Sequence, residues 1–283
     1  MRFWIGFFVI FISVIGGYTI GGGHILVLLQ PVEFIVIIGS AVGAFFIANN
    51  RNVLKHIPAG FKRALTGPQY DKKNYLDLLT MMFVTFKLAK SKGNATLEAH
   101  IDKPQESDLF AKYTHFLEQK DAVNFFCDYL RVVTLGGVDP VQMESIMDEE
   151  LSVKREEKHH IIAAIQNAAD GLPALGIVAA VLGVIHTMGS IDQPPAVLGK
   201  LIGGALVGTF LGVLLSYGFI GPMGNCLKGI YDADEKYIIC IRTALVAYIN
   251  GFAPLIAIEY ARKTLEHDYQ PTFEEMEEAT RSV

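Results

Sequence analysis

The stretch Asp170-Gly-Leu-Pro-Ala-Leu-Gly-Ile-Val-Ala-Ala-Val-Leu-Gly-Val-Ile-His-Thr-Met-Gly-Ser-Ile-Asp192 decides the fold class. From Gly171 to Ile191 it carries no Asp, Glu, Lys or Arg, and a carboxylate bounds it on each side. A run of this length crosses a bilayer core of about 30 Å as a helix, and it predicts a transmembrane span. A second such run, Leu201 to Cys226, follows and is bounded by Lys200 and Lys228. The Asp192-Gln-Pro-Pro connection between the two is short enough to join only antiparallel neighbours.

Two further windows without charge lie near the N-terminus. Phe3 to Ile20 spans by itself, and Gly21-Gly22-Gly23 turns the chain. The second window is Phe34 to Ala48, extended toward the turn by Ile25 to Leu29, and Asn49-Asn50-Arg51 closes it. A cleaved signal peptide is the competing reading of the first window; its length and the apolar segment directly after it argue otherwise. These windows account for a composition of 51% hydrophobic and only 19% charged residues, where a soluble chain carries about 25% charged.

The expected architecture is an all-α integral membrane protein, with four transmembrane helices in two hairpins and a helical cytoplasmic lobe. Residues 1–50 form the first hairpin, with spans at about 3–20 and 27–48, and residues 51–170 a cytoplasmic helical domain. Residues 171–226 form the second hairpin, with spans at about 171–191 and 201–226, and residues 227–283 a cytoplasmic helical tail. Orientation follows from Lys and Arg. The membrane-proximal cations Arg51, Lys55, Lys62, Arg63, Lys228 and Lys236 place both termini and the insertion inside.

The insertion reads as helical throughout. Tyr75, Leu76, Leu79, Met82, Phe83 and Phe86 recur at helical steps between Lys72 and Lys92, and Gly93-Asn94 ends that helix. Asp139-Pro140 is a helix start, a capping carboxylate followed by proline in the first turn. A helix from Pro140 through the membrane to about Gly189 would be roughly 75 Å long. The fourth span likewise continues past Pro222 through the amphipathic stretch Tyr231 to Tyr248.

A net charge of −5 offers no basic stripe for nucleic acid. Cys127, Cys226 and Cys240 have no metal-ligand spacing and read as free thiols. His159-His160 sits in a charged helix without carboxylates at metal spacing. No catalytic pair, cofactor or metal is expected, and the chain does not read as an enzyme.

The third and fourth spans are rich in small residues: Gly176 and Gly183, then Gly204, Gly208 and Gly212. Glycines four residues apart open a groove along one helix face, where another backbone approaches closely. Ordinary packing of the two helices on each other explains them as well as a special role does. Neither span holds an Asp, Glu, Lys or Arg. An ion relay through hydrocarbon needs a carboxylate or a dense oxygen lining, so another chain would have to supply it. Glu33 is the one carboxylate near membrane depth; it is either functional or an interfacial group reaching headgroup water.

The run Asp170 to His186 resembles the third membrane segment of the MotA/PomA family, the larger subunits of bacterial flagellar motor stators. Val207-Gly-Thr-Phe-Leu-Gly-Val-Leu-Leu-Ser-Tyr-Gly-Phe-Ile-Gly-Pro222 resembles its fourth. Gln30-Pro-Val-Glu-Phe-Ile-Val-Ile-Ile-Gly39 resembles its second, and Ala253-Pro-Leu-Ile-Ala-Ile-Glu-Tyr-Ala-Arg262 its tail motif. The motifs are collinear over essentially the whole chain.

The resemblance implies a stator subunit in the bacterial inner membrane, coupling ion flow to torque. It implies a ring of five copies around a MotB-like single-span partner that supplies the ion-carrying aspartate, and contact with the rotor protein FliG. Pro173 and Pro222 match the family's prolines flanking the channel, and a kink without further role is the alternative for each. Lys90 and Glu98 stand where the family uses an arginine and a glutamate against FliG; the lysine keeps the charge and loses the bidentate fork. Glu150 matches another family charge, with a solvated helix surface as the alternative. Sodium-type relatives carry threonine where Ala180 stands, leaving Thr209 as the hydroxyl beside the partner's aspartate, so protons are the expected ion. The rival functions are an ExbB/TolQ-type energiser, which has three spans, a sodium-driven PomA-type stator, and a passive scaffold.

Overall fold

The computed structural model describes residues 2–137 and 139–281, and every regular element among them is helical. In chain order these are α1 (Arg2–Ile20), α2 (Ile25–Leu28), α3 (Pro31–Ala48), α4 (Arg51–Thr66), α5 (Lys72–Lys92), α6 (Glu98–Asp102), α7 (Thr114–Glu118), α8 (Lys120–Leu135), α9 (Pro140–Met188) and α10 (Pro195–Val213). A π-helical segment, Leu214–Ile220, leads from α10 into α11 (Gly221–Ile249), and α12 (Pro254–Arg262) and α13 (Phe273–Arg281) follow. The chain divides into two compact units: residues up to Gly67 with Glu156–Ile230, and Pro68–Arg155 with the residues from Tyr231 onward. The helices α9 and α11 each contribute to both.

The first unit contains the membrane-crossing parts. Four stretches are long and apolar enough to span: Phe3–Ile20, Ile25–Ala48, Pro140–Met188 and Pro195–Ile249. Large apolar side chains such as Ile12, Ile35, Ile47, Ile185 and Leu206 point out of this unit, as lipid-facing residues do. The second apolar window is divided in two. The helix α2 ends at Leu28, α3 begins with Pro31 in its first turn, and the Gln30 amide donates to the Val27 carbonyl at 3.0 Å across the break. After α3 the chain enters α4, where Asn50 caps by accepting from the Val53 amide at 3.0 Å. That helix buries Val53, Gly60 and Ala64 while Lys55 and Lys62 stay exposed, and it ends at Gly67, whose φ of 90° only glycine adopts readily.

The π segment immediately precedes Pro222, whose ring has no N–H to give the preceding turn. The widened turn closes instead through Gly221, whose amide donates to the Ser216 carbonyl.

The second unit is built on a core of Leu78, Leu79, Met82, Phe86, Phe126, Leu130, Tyr237 and Ile241. The helix α5 starts at an Asp71–Asn74 capping box and ends at Gly93, matching the limits expected from its punctuation. It packs against α12 and α13. Phe86 stacks on Tyr248 at 4.5 Å, and Tyr70 on Tyr237 at 3.9 Å. The start of α9 is as expected from Asp139-Pro140, with the Asp139 carboxylate accepting from the Val141 amide at 2.9 Å. Met143, Met147 and Leu151 then place one face of α9 in this core.

Candidate functional site

The third and fourth spans meet through their glycines. A β-carbon built on Gly176 would lie 2.7 Å from the Gly208 carbonyl oxygen, 3.0 Å from Gly212 Cα and 3.3 Å from Thr209 Cα. One built on Gly212 would lie 2.7 Å from the Leu172 carbonyl oxygen. Further along, Gly183 faces Ala205, where an added methyl would come within 2.7 Å of the Ala205 Cβ. These separations leave room for hydrogen and for nothing larger, so backbone lies on backbone along the whole seam.

Gly208 is where three elements converge. A β-carbon there would be 3.0 Å from the Ala179 Cβ, 3.1 Å from the Ala180 nitrogen and 3.0 Å from Glu33 Oε2. Glu33 therefore leaves α3 and enters the seam between α9 and α10, with only 9% of its surface exposed. Ile37, one turn on, packs with Ala179, Val207 and Leu211 beneath it. Gly204 does not take part in the seam. It faces the Gln30 side chain, 3.3 Å from a β-carbon built there.

Ala180 and Thr209 are both half-buried. Pro173 is half-buried within α9, directly after the Leu172 carbonyl that Gly212 approaches, and Pro222 is exposed in the first turn of α11. Beside Pro222, the Gln166 amide donates to the Gly221 carbonyl at 3.2 Å and to Asn225 Oδ1 at 3.0 Å, joining α9 to the residues that follow the π segment. Within that segment Ser216 is 1% exposed, and its hydroxyl finds no partner among the described residues. The π segment is the feature that residue patterns did not reveal; Pro222 itself was its only local signal.

The remaining candidates lie in the second unit, separate from the seam. Lys90 is exposed in the last turn of α5 and Glu98 is exposed at the start of α6, and neither forms an ion pair among the described residues. Lys90 borders a cleft of about 340 Å³ that Asn94, Gly136, Gly137, Tyr248 and Phe252 also line. Lys87 lies 5.5 Å over the Phe83 ring. Glu150 differs from these two. It accepts from the Tyr129 hydroxyl at 2.9 Å and pairs with Lys154 at 2.6 Å, so its carboxylate is committed within the unit.

The tail motif is held by Arg262, which is 6% exposed. Its guanidinium donates twice to Glu259, each at 2.7 Å, and once to the Pro271 carbonyl at 2.8 Å. Hydrogen bonding from Arg262 holds the Glu259 carboxyl below the ordinary carboxylate range.

Residues 4–93 match the family described as Motility protein A N-terminal, and residues 118–238 match the MotA/TolQ/ExbB proton channel family. Motility protein A of Salmonella typhimurium is 39% identical over 283 residues, covering 99% of this chain and 95% of that one. The chain belongs to the motility protein A family. The Escherichia coli motility protein A is similar to the same degree, 39% over 283 residues with 99% and 95% covered. The motility protein A fold is shared with the solved C. jejuni MotAB structure at a TM-score of 0.78, with 18% identity over 94% of this chain and 96% of that one. Members of this family are membrane proteins, and the match to the proton channel family covers the start of α9 through α10 and the π segment into α11.

Proposed function

We propose that this chain is the stator subunit that lines the ion path of a flagellar motor and passes the work of ion flow to a rotor. One observation carries the reading: α9 and α10 press backbone against backbone through Gly176, Gly183, Gly208 and Gly212, and no Asp, Glu, Lys or Arg lies in the seam from either helix. An ion crossing beside such helices needs a carboxylate from elsewhere. A MotB-like single-span partner supplies it as an aspartate, and five copies of this chain surround that partner in the inner membrane. Both termini and the second unit lie in the cytoplasm, and the four spans form two hairpins.

The ion is the proton. Ala180 offers no oxygen to a dehydrated sodium ion, and Thr209 offers one hydroxyl per copy. Pro173 and Pro222 flank the path. Lys90 and Glu98, exposed and without ion-pair partners among the described residues, are the charges that engage FliG.

The test is to express the chain with and without a single-span, aspartate-bearing partner and follow intracellular pH after an external acid step. The reading expects acidification only with both, and its loss when the partner's aspartate becomes asparagine. Proton entry through this chain alone would overturn it.

A further inference from the structure

We propose that the Glu33 carboxyl, lodged in the glycine-walled seam between α9 and α10, is a proton-binding site of this chain itself. It is additional to any carboxylate that a partner brings, whichever ion drives the unit.

The side chain is nine-tenths buried at membrane depth. Both oxygens are inside the seam: Oε2 lies 3.0 Å from a β-carbon built on Gly208, and Oε1 lies 3.4 Å from one built on Gly183. A carboxylate serving the interface would point away from these helices, toward headgroup water. Among the described residues neither oxygen has a hydrogen bond or an ion pair. Within the apolar stretch of α9 after Asp170, on α10 and ahead of α2, the titratable side chains are His186, Lys200 and His24, and none of them pairs with it. The other atoms that approach Gly183 and Gly208, from Ala179, Ala180 and Ala205, carry no charge.

An ionised carboxylate without donors or a counter-charge in hydrocarbon is strongly disfavoured, and the group neutralises instead. The neutral acid fits the seam as it stands. Ionisation, –COOH + H₂O to –COO⁻ + H₃O⁺, would leave a charge against the glycine wall with no counter-charge beside it. Such a charge opposes the packing of α3 against α9 and α10, so proton occupancy and that packing are linked. The linkage also gives Gly183 and Gly208 a role beyond close packing, because a side chain at either would expel the carboxyl.

The experiment is infrared difference spectroscopy on the complete complex with its single-span partner in lipid, recorded as pH is stepped from acid to alkaline. The expected result is a protonated-acid carbonyl band at neutral pH. It shifts in deuterium oxide, is replaced by carboxylate bands at alkaline pH, and is missing from Glu33→Gln. The wild-type complex should lose thermal stability at alkaline pH where Glu33→Gln, which cannot ionise, keeps it. If Glu33→Gln fails to assemble, Glu33→Asp serves, and the band should move in frequency. Carboxylate bands assigned to Glu33 at neutral pH, or a protonated band untouched by either substitution, would overturn the proposal. This readout does not depend on torque or ion flux, so it separates the site from the motor function proposed above.

Discussion

Gly212 and Gly176 sit so close that neither tolerates a side chain: a β-carbon on Gly212 would be 2.8 Å from Gly176 Cα, and one on Gly176 would be 3.0 Å from Gly212 Cα. The obstruction is backbone on both sides, which cannot swing aside as a flexible side chain does. Gly176→Ala and Gly212→Ala should each destabilise the complex by about 1–3 kcal/mol, the usual cost of overpacking. Gly39→Ala and Gly199→Ala, where a β-carbon meets nothing within 4 Å, are the matched controls. Detergent-resistance assays of the four variants decide the point, and equal behaviour would mean the spans do not pack this way.

Reversing both charges of the second unit, Lys90→Glu with Glu98→Lys, should reduce swarming while membrane levels of the protein stay normal. Both side chains are exposed, so their replacement should change stability by no more than about 0.5 kcal/mol. Compensating reversals on the rotor protein should restore part of the motility. Glu150→Gln should behave differently and loosen the fold locally, because Tyr129 and Lys154 both hold that carboxylate.

Motility should persist in sodium-free medium and collapse on adding a protonophore. Ala180 gives a bare sodium ion nothing in exchange for its water. Swimming speed that follows external sodium at constant proton motive force would show the ion to be sodium.

The Arg262–Glu259 pair gives the second unit an acid limit. Because the Glu259 carboxyl is held below its ordinary range, its contribution is present above that range and is lost as pH falls through the depressed value. Arg262→Met should cost on the order of 3 kcal/mol, since it also leaves the Pro271 carbonyl without its donor. Thermal unfolding followed from neutral pH downward should show wild type converging on Glu259→Gln. Parallel curves would indicate that the pair contributes nothing.

Cys127 should resist maleimide in the folded protein. It is 3% exposed, and burial pushes its thiol up to about 12, which removes the reactive thiolate at neutral pH. Rapid labelling before denaturation would indicate that α8 opens.

What the residues announce in advance is what local chemistry controls. The limits of α5 follow from Asp71 and Gly93, and the start of α9 from Asp139-Pro140, because capping and breaking act over one turn. The spans are legible because absence of charge is visible in a window. Pro58 conceals α4 from the same reading, since it lies inside the helix instead of ending it. The position of Glu33 is undetermined from its own neighbourhood. Whether it reaches headgroup water or the interior depends on Gly183 and Gly208, which lie far along the chain. Lys90 and Glu98 are distinguishable from other surface charges only through family resemblance, as exposure without partners is common to many.

The π segment from Leu214 to Ile220 stores one residue more than an α turn would hold. Absorbing that residue into α register would rotate the helix beyond it by about 100° and move it by roughly 1.5 Å along its axis. That shift would make the segment a mechanical detent, with a fixed step between the two registers. Gln166, which grips Gly221 and Asn225 just past the segment, would have to release and regrip for the step to occur.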